Sequence, residues 1–282
     1  MLTTETGQGN QSDSVIRVKD GAWIDIIRYI SETVLYHHGE QSLNQTIVSM
    51  AQDYVGSNNL NLLQPNGQFG TRLLGGKDSA SPRYIYTCLA PITHTIMKNE
   101  DESLLQAQYE EGIRIEPVCF LPVVPMVLIN GATGIGTGWS TTIPNHNPIE
   151  IVDRMIMKLK GVKWLVDWFQ GETPSTPLHP WYRGFTGTLS QQGSSYQIRG
   201  RAFWKNDHTV VISELPIGKW TQDYKNWLCE MIQEGKLVSS FKENHTDTEV
   251  SFTVNVKEEA GKELRNDLEK TMKEFKLVST VR

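Results

Sequence analysis

Cysteine is scarce in this sequence. Cys88, Cys119 and Cys229 are the only three, and they stand far apart among 282 residues. That spacing excludes a disulfide framework and a four-cysteine zinc site, and it fits a reducing compartment. Long apolar runs are missing too. No stretch reaches about 18 apolar residues, which excludes a membrane-spanning helix and removes a membrane from the expected partners. No basic start leading into an apolar run follows Met1, so no secretory signal is expected. Positive charge is not in excess: the net charge is -5. Binding nucleic acid by bulk charge alone is therefore excluded, although a local basic site is not. What remains is a chain with 38% hydrophobic residues, 8 Trp and no internal repeat. At about 150 residues per domain, that length predicts roughly two domains.

Residues 1–14 hold almost nothing to bury and read as a disordered tail. Trp23, Ile26, Ile27, Ile30 and Val34 follow at helical spacing, predicting a helix over 22–35. Ser42 with Gln45 three residues on has the form of a capping box opening a second helix. Its stripe is Leu43, Ile47, Met50 and Tyr54, and Gly56 is its expected stop. Residues 56–82 are rich in Gly, Asn, Gln and Ser, yet carry enough Leu and Phe to predict an ordered loop. A helix is expected over 84–98, then an acidic, solvated stretch through Glu116, then an apolar strand in FLPVVPMVLING. Asn147, Pro148 and Glu150 spell a helix start, with Ile151, Val152, Met155, Ile156 and Leu159 on one face and Gly161 at its end. The last third alternates strands and helices. Strands are expected at 185–189, 196–200, 210–214 and 250–256, a helix at 220–234 closed by Gly235, and a final helix through Leu264, Leu268, Met272 and Phe275. The fold class this predicts is α+β.

Four places hold chemistry. Arg83-Tyr84 follows Pro82 at the expected start of a helix. A phenol, with an ordinary pKa near 10, is a poor nucleophile at neutral pH, and a guanidinium and a helix N-terminus would both favour its anion. The ordinary alternative is a tyrosine packed at a helix start. His37-His38 with Glu40 offer an acid, a base, a phosphate donor or metal ligands; a surface or capping role is the plainer reading. The run GATGIGTGW at 131–139 is glycine-rich but lacks a Walker ending and the G-x-G-x-x-G phase, so nucleotide binding is the weakest reading of it. Ile135 within it is either a wedge between base steps or a core side chain at a tight turn. Arg72, Lys77 and Arg83, with Gln64, Asn66 and Gln68, would suit a phosphate track; Asp78 is the only acid among them.

Together these segments are far more specific than any one. YHHGE at 36–40, VGSNNLNLLQPNGQFGTR at 55–72, GGKDSASPRYIYT at 75–87, PMVLINGATGIGTGW at 125–139, SELPIGKWTQDYK at 213–225 and HTDTEV at 245–250 resemble, in order, the eukaryotic type IIA DNA topoisomerases. PWYRGF at 180–185 is most similar to plant members. The resemblance implies a winged-helix DNA-breakage domain at 15–123 and a tower domain at 124–282. It assigns Tyr84 to the attack that forms a 5′-phosphotyrosyl link, Arg83 to the scissile phosphate, and His38 and His37 to the lining of that site. It places Gln45 beside the cleavage point and makes Ile135 the residue that intercalates and bends the duplex. Gln64, Gln68, Arg72 and Lys77 remain DNA-binding candidates from the phosphate-track reading.

The same resemblance implies double-stranded DNA as partner, nuclear location, and Mg2+ and ATP as cofactors of the full-length family. No motif for either cofactor is recognised in this chain. The ATPase module, the magnesium-binding TOPRIM domain and the C-terminal dimer gate of the family are not represented, so a fragment is expected. Such a fragment would not perform strand passage alone. It would pair with itself or with a full-length subunit. The rival from another class is a non-catalytic DNA-binding or subunit-interaction module.

Overall fold

A computed structural model describes residues 39–160, 177–193, 195–235 and 237–281. The tail expected at 1–14, the helix expected over 22–35, Gly161 and both His37 and His38 lie outside the described residues. The chain forms two compact units. The first comprises Met1–Asp53, Asn61–Phe69 and Ser79–Pro125; the second comprises Tyr54–Leu60, Gly70–Asp78 and Met126–Arg282.

In the first unit, helix α1 runs Glu40–Ala51 and begins at Gly39, whose φ is 83°. The helix therefore starts two residues before Ser42, and the expected capping box does not form. Ser42 is already helical, and the Gln45 amide instead donates to Ser49 Oγ at 3.4 Å, one turn on. The buried stripe is Leu43, Ile47, Val48 and Ala51, and it packs with Phe69 and Ile85. Each large apolar side chain of this kind contributes about 1.5–3 kcal/mol by leaving water. Met50 is exposed and Tyr54 lies beyond the helix, which ends at Ala51 rather than at Gly56. Gln52 leaves the helix and donates to the Phe69 carbonyl at 2.9 Å in the interior.

The helix expected over 84–98 is not continuous. Pro82–Tyr84 make one 3-10 turn, Ile85 is extended, and helix α2 covers only Pro91–Ile96. The reason is Ile85, which is 1% exposed. Burying it pulls the chain straight. Tyr86 then bridges Asn66, with N–H to carbonyl distances of 2.9 and 3.1 Å, and Leu89 bridges Leu63. The acidic stretch becomes a 3-10 segment, Asn99–Leu104, and a small hairpin, β1 Tyr109–Glu110 with β2 Ile113–Arg114. Glu111 and Gly112 both have positive φ, 50° and 83°, as the tightest hairpin turns require.

In the second unit the apolar run at 120–131 yields a short helix, α3 Met126–Ile129, in place of the expected strand. Strands β3 Ala132–Gly136 and β4 Trp139–Ile143 pair antiparallel. Helix α4 Pro148–Leu159 is capped as expected: Asn147 accepts from the Ile149 N–H at 3.0 Å. Its apolar face is not buried as expected, however. Ile151 is buried, but Val152, Ile156 and Leu159 are exposed, and Arg154 takes an interior place on Glu150 and the Pro177 carbonyl.

Two further sheets follow. Strands β5 Thr188–Gln192, β6 Ser195–Arg199 and β11 Val278–Val281 form one, in the order β11-β6-β5. Strands β7 Arg201–Asn206, β8 Thr209–Glu214, β9 Val238–Glu243 and β10 Phe252–Val256 form the other, in the order β7-β8-β10-β9. Every pairing in these two sheets is antiparallel. Helix α5 Thr221–Glu234 stops at Gly235, which is left-handed at φ 68°. The final helix expected through Phe275 is two, α6 Glu258–Leu264 and α7 Leu268–Glu274. Asp267 splits them by capping Lys270 N–H at 2.9 Å. The core sits between the four-stranded sheet and these helices, where Val210, Ile212, Phe252, Val254, Leu228, Phe275 and Leu277 are all fully buried. The α+β class expected from the sequence is the class found.

Candidate active site and nucleic-acid interface

The first unit holds the nucleophile candidate. The Ser81 carbonyl accepts from the Tyr84 N–H at 2.9 Å, closing the turn that Pro82 begins. Ile85 turns inward and Tyr84 outward, so the Tyr84 side chain is 65% exposed. The Arg83 guanidinium lies 4.7 Å from the centre of the Tyr84 ring, a cation–π stack. Tyr84 thus ends a single 3-10 turn and does not open a helix. The expected help from a helix N-terminus has no geometric basis.

The glutamines divide. Gln45 is exposed on α1. Gln68 is exposed while its carbonyl accepts from Ala80 N–H at 2.8 Å. Gln64 does not project onto a phosphate track. Its N–H donates to the Cys88 carbonyl at 2.8 Å and its amide to the Leu89 carbonyl at 3.2 Å, so it stitches the two extended segments that carry Ile85.

In the second unit Lys77 is exposed and Arg72 is not. The sequence puts Arg72 on DNA, yet it is 5% exposed and its Nη2 lies 2.5 Å from Glu214 Oε1. A guanidinium buried in such a pair is held by the cost of stranding either charge. The sequence offers no sign of this, because Glu214 lies 142 residues away.

Ile135 is 89% exposed in the middle of β3, opposite Ser140. The alternative of an isoleucine tucked into the core is thereby excluded. So is the nucleotide-cradling reading of 131–138, since an extended strand turns successive N–H groups to opposite sides and cannot converge them on one phosphate. The hairpin carries no charged residue and presents Thr133, Thr137, Ser140, Thr141 and Thr142. Trp139, 84% exposed, is missed by sequence reasoning; a tryptophan directly after a glycine-rich run is the available signal.

The base of the hairpin is firmly fixed. Gly131 has φ 70°, and a Cβ there would come within 2.6 Å of Asn145 Oδ1 and the Ile143 carbonyl. Asn59, 2% exposed, donates to the carbonyls of Ile129, His146 and Trp181 at 2.9–3.0 Å. His146 Nδ1 lies 2.9 Å from the Leu128 carbonyl, and burial pushes its pKa below the ordinary value. Among the described residues, no group of three His, Cys, Asp or Glu side chains is placed to hold a metal ion.

Comparison with known proteins follows this geometry. The sequence model of the DNA gyrase/topoisomerase IV A-subunit family matches residues 26–282. DNA topoisomerase 2 of Bombyx mori is 48% identical over 256 residues, covering 89% of this chain and 16% of that protein. DNA topoisomerase 2 of Pisum sativum is 46% identical over 263 residues, covering 90% of this chain and 17% of its own length. The chain therefore spans about a sixth of these relatives. The crystal structure of the Plasmodium falciparum topoisomerase II DNA-binding, cleavage and re-ligation domain superimposes with a TM-score of 0.82 at 40% identity. The match covers 91% of this chain and 34% of that one.

Proposed function

This chain belongs to the DNA gyrase/topoisomerase IV A-subunit family, and from that premise we propose that it forms the DNA-breakage part of a type II topoisomerase. The observation that carries the reading is Tyr84, exposed at the end of a 3-10 turn with the Arg83 guanidinium beside its ring. In the proposed step the Tyr84 oxygen attacks a DNA phosphorus. The phosphorus–O3′ bond breaks as the tyrosyl–phosphorus bond forms, and the proton lost by the phenol is balanced at the released 3′ hydroxyl. The product is a 5′-phosphotyrosyl link. Because one ester replaces another, the released hydroxyl can reverse the reaction without external energy.

Arg83 would leave the ring to hold the phosphate, where a guanidinium can make two parallel hydrogen bonds. His37 and His38 would line the same site, and Gln45, exposed on α1, would lie along the bound duplex. Ile135 would enter between base steps and bend the DNA. Bending a site costs about 1–6 kcal/mol, offset by added contacts. Residues 15–123 act here as the winged-helix region and 124–282 as the tower region.

Magnesium and ATP, nuclear location, and assembly with a second copy or a full-length subunit enter this reading only as what the family resemblance implies. The described residues do not form a fitting magnesium site, so no step above is routed through one.

The test is covalent capture. The protein is incubated with magnesium and a duplex that traps the cleaved product, beside a Tyr84→Phe control. A DNA adduct with wild type and none with Tyr84→Phe is the expected result. An adduct that survives Tyr84→Phe would overturn the assignment. No adduct, with salt-sensitive duplex binding retained, would replace it with a non-catalytic DNA-binding module.

A further inference from the structure

Lys219 closes a tight turn just before helix α5, within the second unit. Its N–H donates to the Pro216 carbonyl at 3.0 Å, and Gly218 supplies the positive φ, 82°, that the third position of such a turn requires. Its side chain reaches the C-terminal end of helix α7. There the chain leaves the helix by a Schellman motif. Leu277 N–H donates to the Met272 carbonyl at 2.8 Å and Lys276 N–H to the Lys273 carbonyl at 2.9 Å. Glycine is the usual residue at the left-handed position of this motif; here it is Lys276, at φ 51°. Two side chains hold the carbonyls left over at this helix end. The Tyr224 hydroxyl donates to the Phe275 carbonyl at 2.7 Å, and Lys219 Nζ donates to the Lys276 carbonyl.

The second of these contacts brings two ammonium groups into one corner. The Lys276 ammonium is itself held, since its Nζ lies 4.9 Å from the centre of the Trp227 ring. The acids of the packed elements are placed elsewhere. Glu214 is taken by Arg72 and Glu243 by Lys225, while Asp223 and Glu274 stand exposed on α5 and α7. Of the charged groups on these elements it is Lys276 that acts on Lys219. Burial first, and this like charge second, push the Lys219 pKa below the ordinary lysine value. Desolvation and a neighbouring cation are the two means by which a lysine becomes a nucleophile near neutral pH. As a free amine, Lys219 can keep one N–H on the Lys276 carbonyl and still offer its lone pair.

We propose that Lys219 is a modification site, an amine acylated by small acyl thioesters, and that the Lys276 ammonium beside it makes it so. In the step, the Nζ lone pair attacks the thioester carbonyl carbon. The carbon–nitrogen bond forms as the carbon–sulfur bond breaks, the thiolate leaves with the electron pair, and the proton lost by the nitrogen passes to water. Nothing is oxidised or reduced. The product is a neutral amide, so the corner loses one of its two charges and the Lys276 carbonyl loses its charged donor. The proposal does not depend on the DNA-breakage reading, and neither falls with the other.

The experiment incubates the whole chain with acetyl-coenzyme A over a pH series and reads the acetylated fraction at each lysine by peptide mass spectrometry. Lys77 and Lys205, both exposed, serve as standards. Lys219 should be labelled faster than either, although it is half-buried, and its rate should rise at lower pH than theirs. In urea the preference should vanish. Lys276→Arg keeps the neighbouring charge and should leave the Lys219 profile where it is. Lys276→Gly removes that charge and puts the favoured residue at the left-handed position, so the fold is kept. There the profile should move part of the way back toward those of the standards.

Labelling of Lys219 no faster than Lys205 in the folded chain overturns the site. So does a preference that survives urea, because it would come from neighbouring sequence and not from the folded corner. A profile unmoved in Lys276→Gly, or moved as far in Lys276→Arg, overturns the part given to Lys276.

Discussion

Two antiparallel β structures of the second unit treat their apolar side chains in opposite ways. In the four-stranded sheet, β10 buries Phe252, Val254 and Val256 and turns Thr253 and Asn255 toward the other face. In the β3–β4 hairpin both faces meet solvent, and Ile135 and Trp139 are 89% and 84% exposed. Strand pairing is the same in kind; covering is not. A lone two-stranded hairpin is marginal in water unless something holds it. Here the hold is at the base, through Gly131, Asn145 and the Asn59 hydrogen bonds, and not along the strands. The sheet is built for stability and the hairpin for presentation.

That contrast can be broken from either side. Phe252→Ala should have the largest effect, a loss of about 3–5 kcal/mol in chemical denaturation, because a fully buried ring leaves a cavity the strands cannot close. A loss under about 1 kcal/mol would mean the four-stranded sheet is not the stabilising core. Gly131→Ala should cost about 1–3 kcal/mol, through its positive φ and the contacts a methyl would make with Asn145 and Ile143. Gly138→Ala, with a similar φ of 78° but nothing within 4 Å, should cost less; equal losses would show that backbone strain, not close packing, fixes the hairpin base. Ile135→Ala should change stability by no more than about 0.5 kcal/mol, as exposed substitutions do. Its effect should be seen instead as reduced DNA bending in a duplex labelled for energy transfer at both ends.

The smallest effect concerns pH. Burial lowers the His146 pKa, so the folded protein binds this proton more weakly than the unfolded chain. Below the ordinary histidine value of about 6.5 the unfolded state takes up the proton first, and stability falls with pH until the lowered folded value is passed. Melting temperature followed through that window should fall less in His146→Gln than in the unsubstituted protein. Parallel curves would remove His146 from the account.

Much of this is legible in the sequence, for reasons that differ by place. The alternation through 250–256, the Asn147-Pro148 helix start and the Gly235 stop are local signals, and the structure follows each. Where neighbours far along the chain decide, local reading fails. The capping box at Ser42 loses to a glycine three residues earlier, and the helix expected from Tyr84 loses to the burial of Ile85. The final helix is divided by Asp267, whose cap competes with continuing the turn. Strands β7 and β9 lack clean alternation and give no signal in the sequence. Within the candidate site, Arg83 and Tyr84 stand out as a pair, but the stack between them does not. Arg72 reads as a surface cation because nothing in its neighbouring residues reveals a carboxylate 142 positions on.

The amino-acid order alone therefore determined the α+β class and the family, and it set an arginine–tyrosine pair at 83–84 and a lone isoleucine among the glycines of 131–138. Those depend on periodicity and on exact runs of neighbours, which a sequence carries in full. Tertiary structure decided which charges face water. It buried Arg72 against Glu214, turned Asp78 onto Thr71, and left Lys77, Tyr84 and Ile135 outside. Exposure of a polar or apolar side chain depends on what the rest of the chain places against it, and that is settled only when distant segments pack.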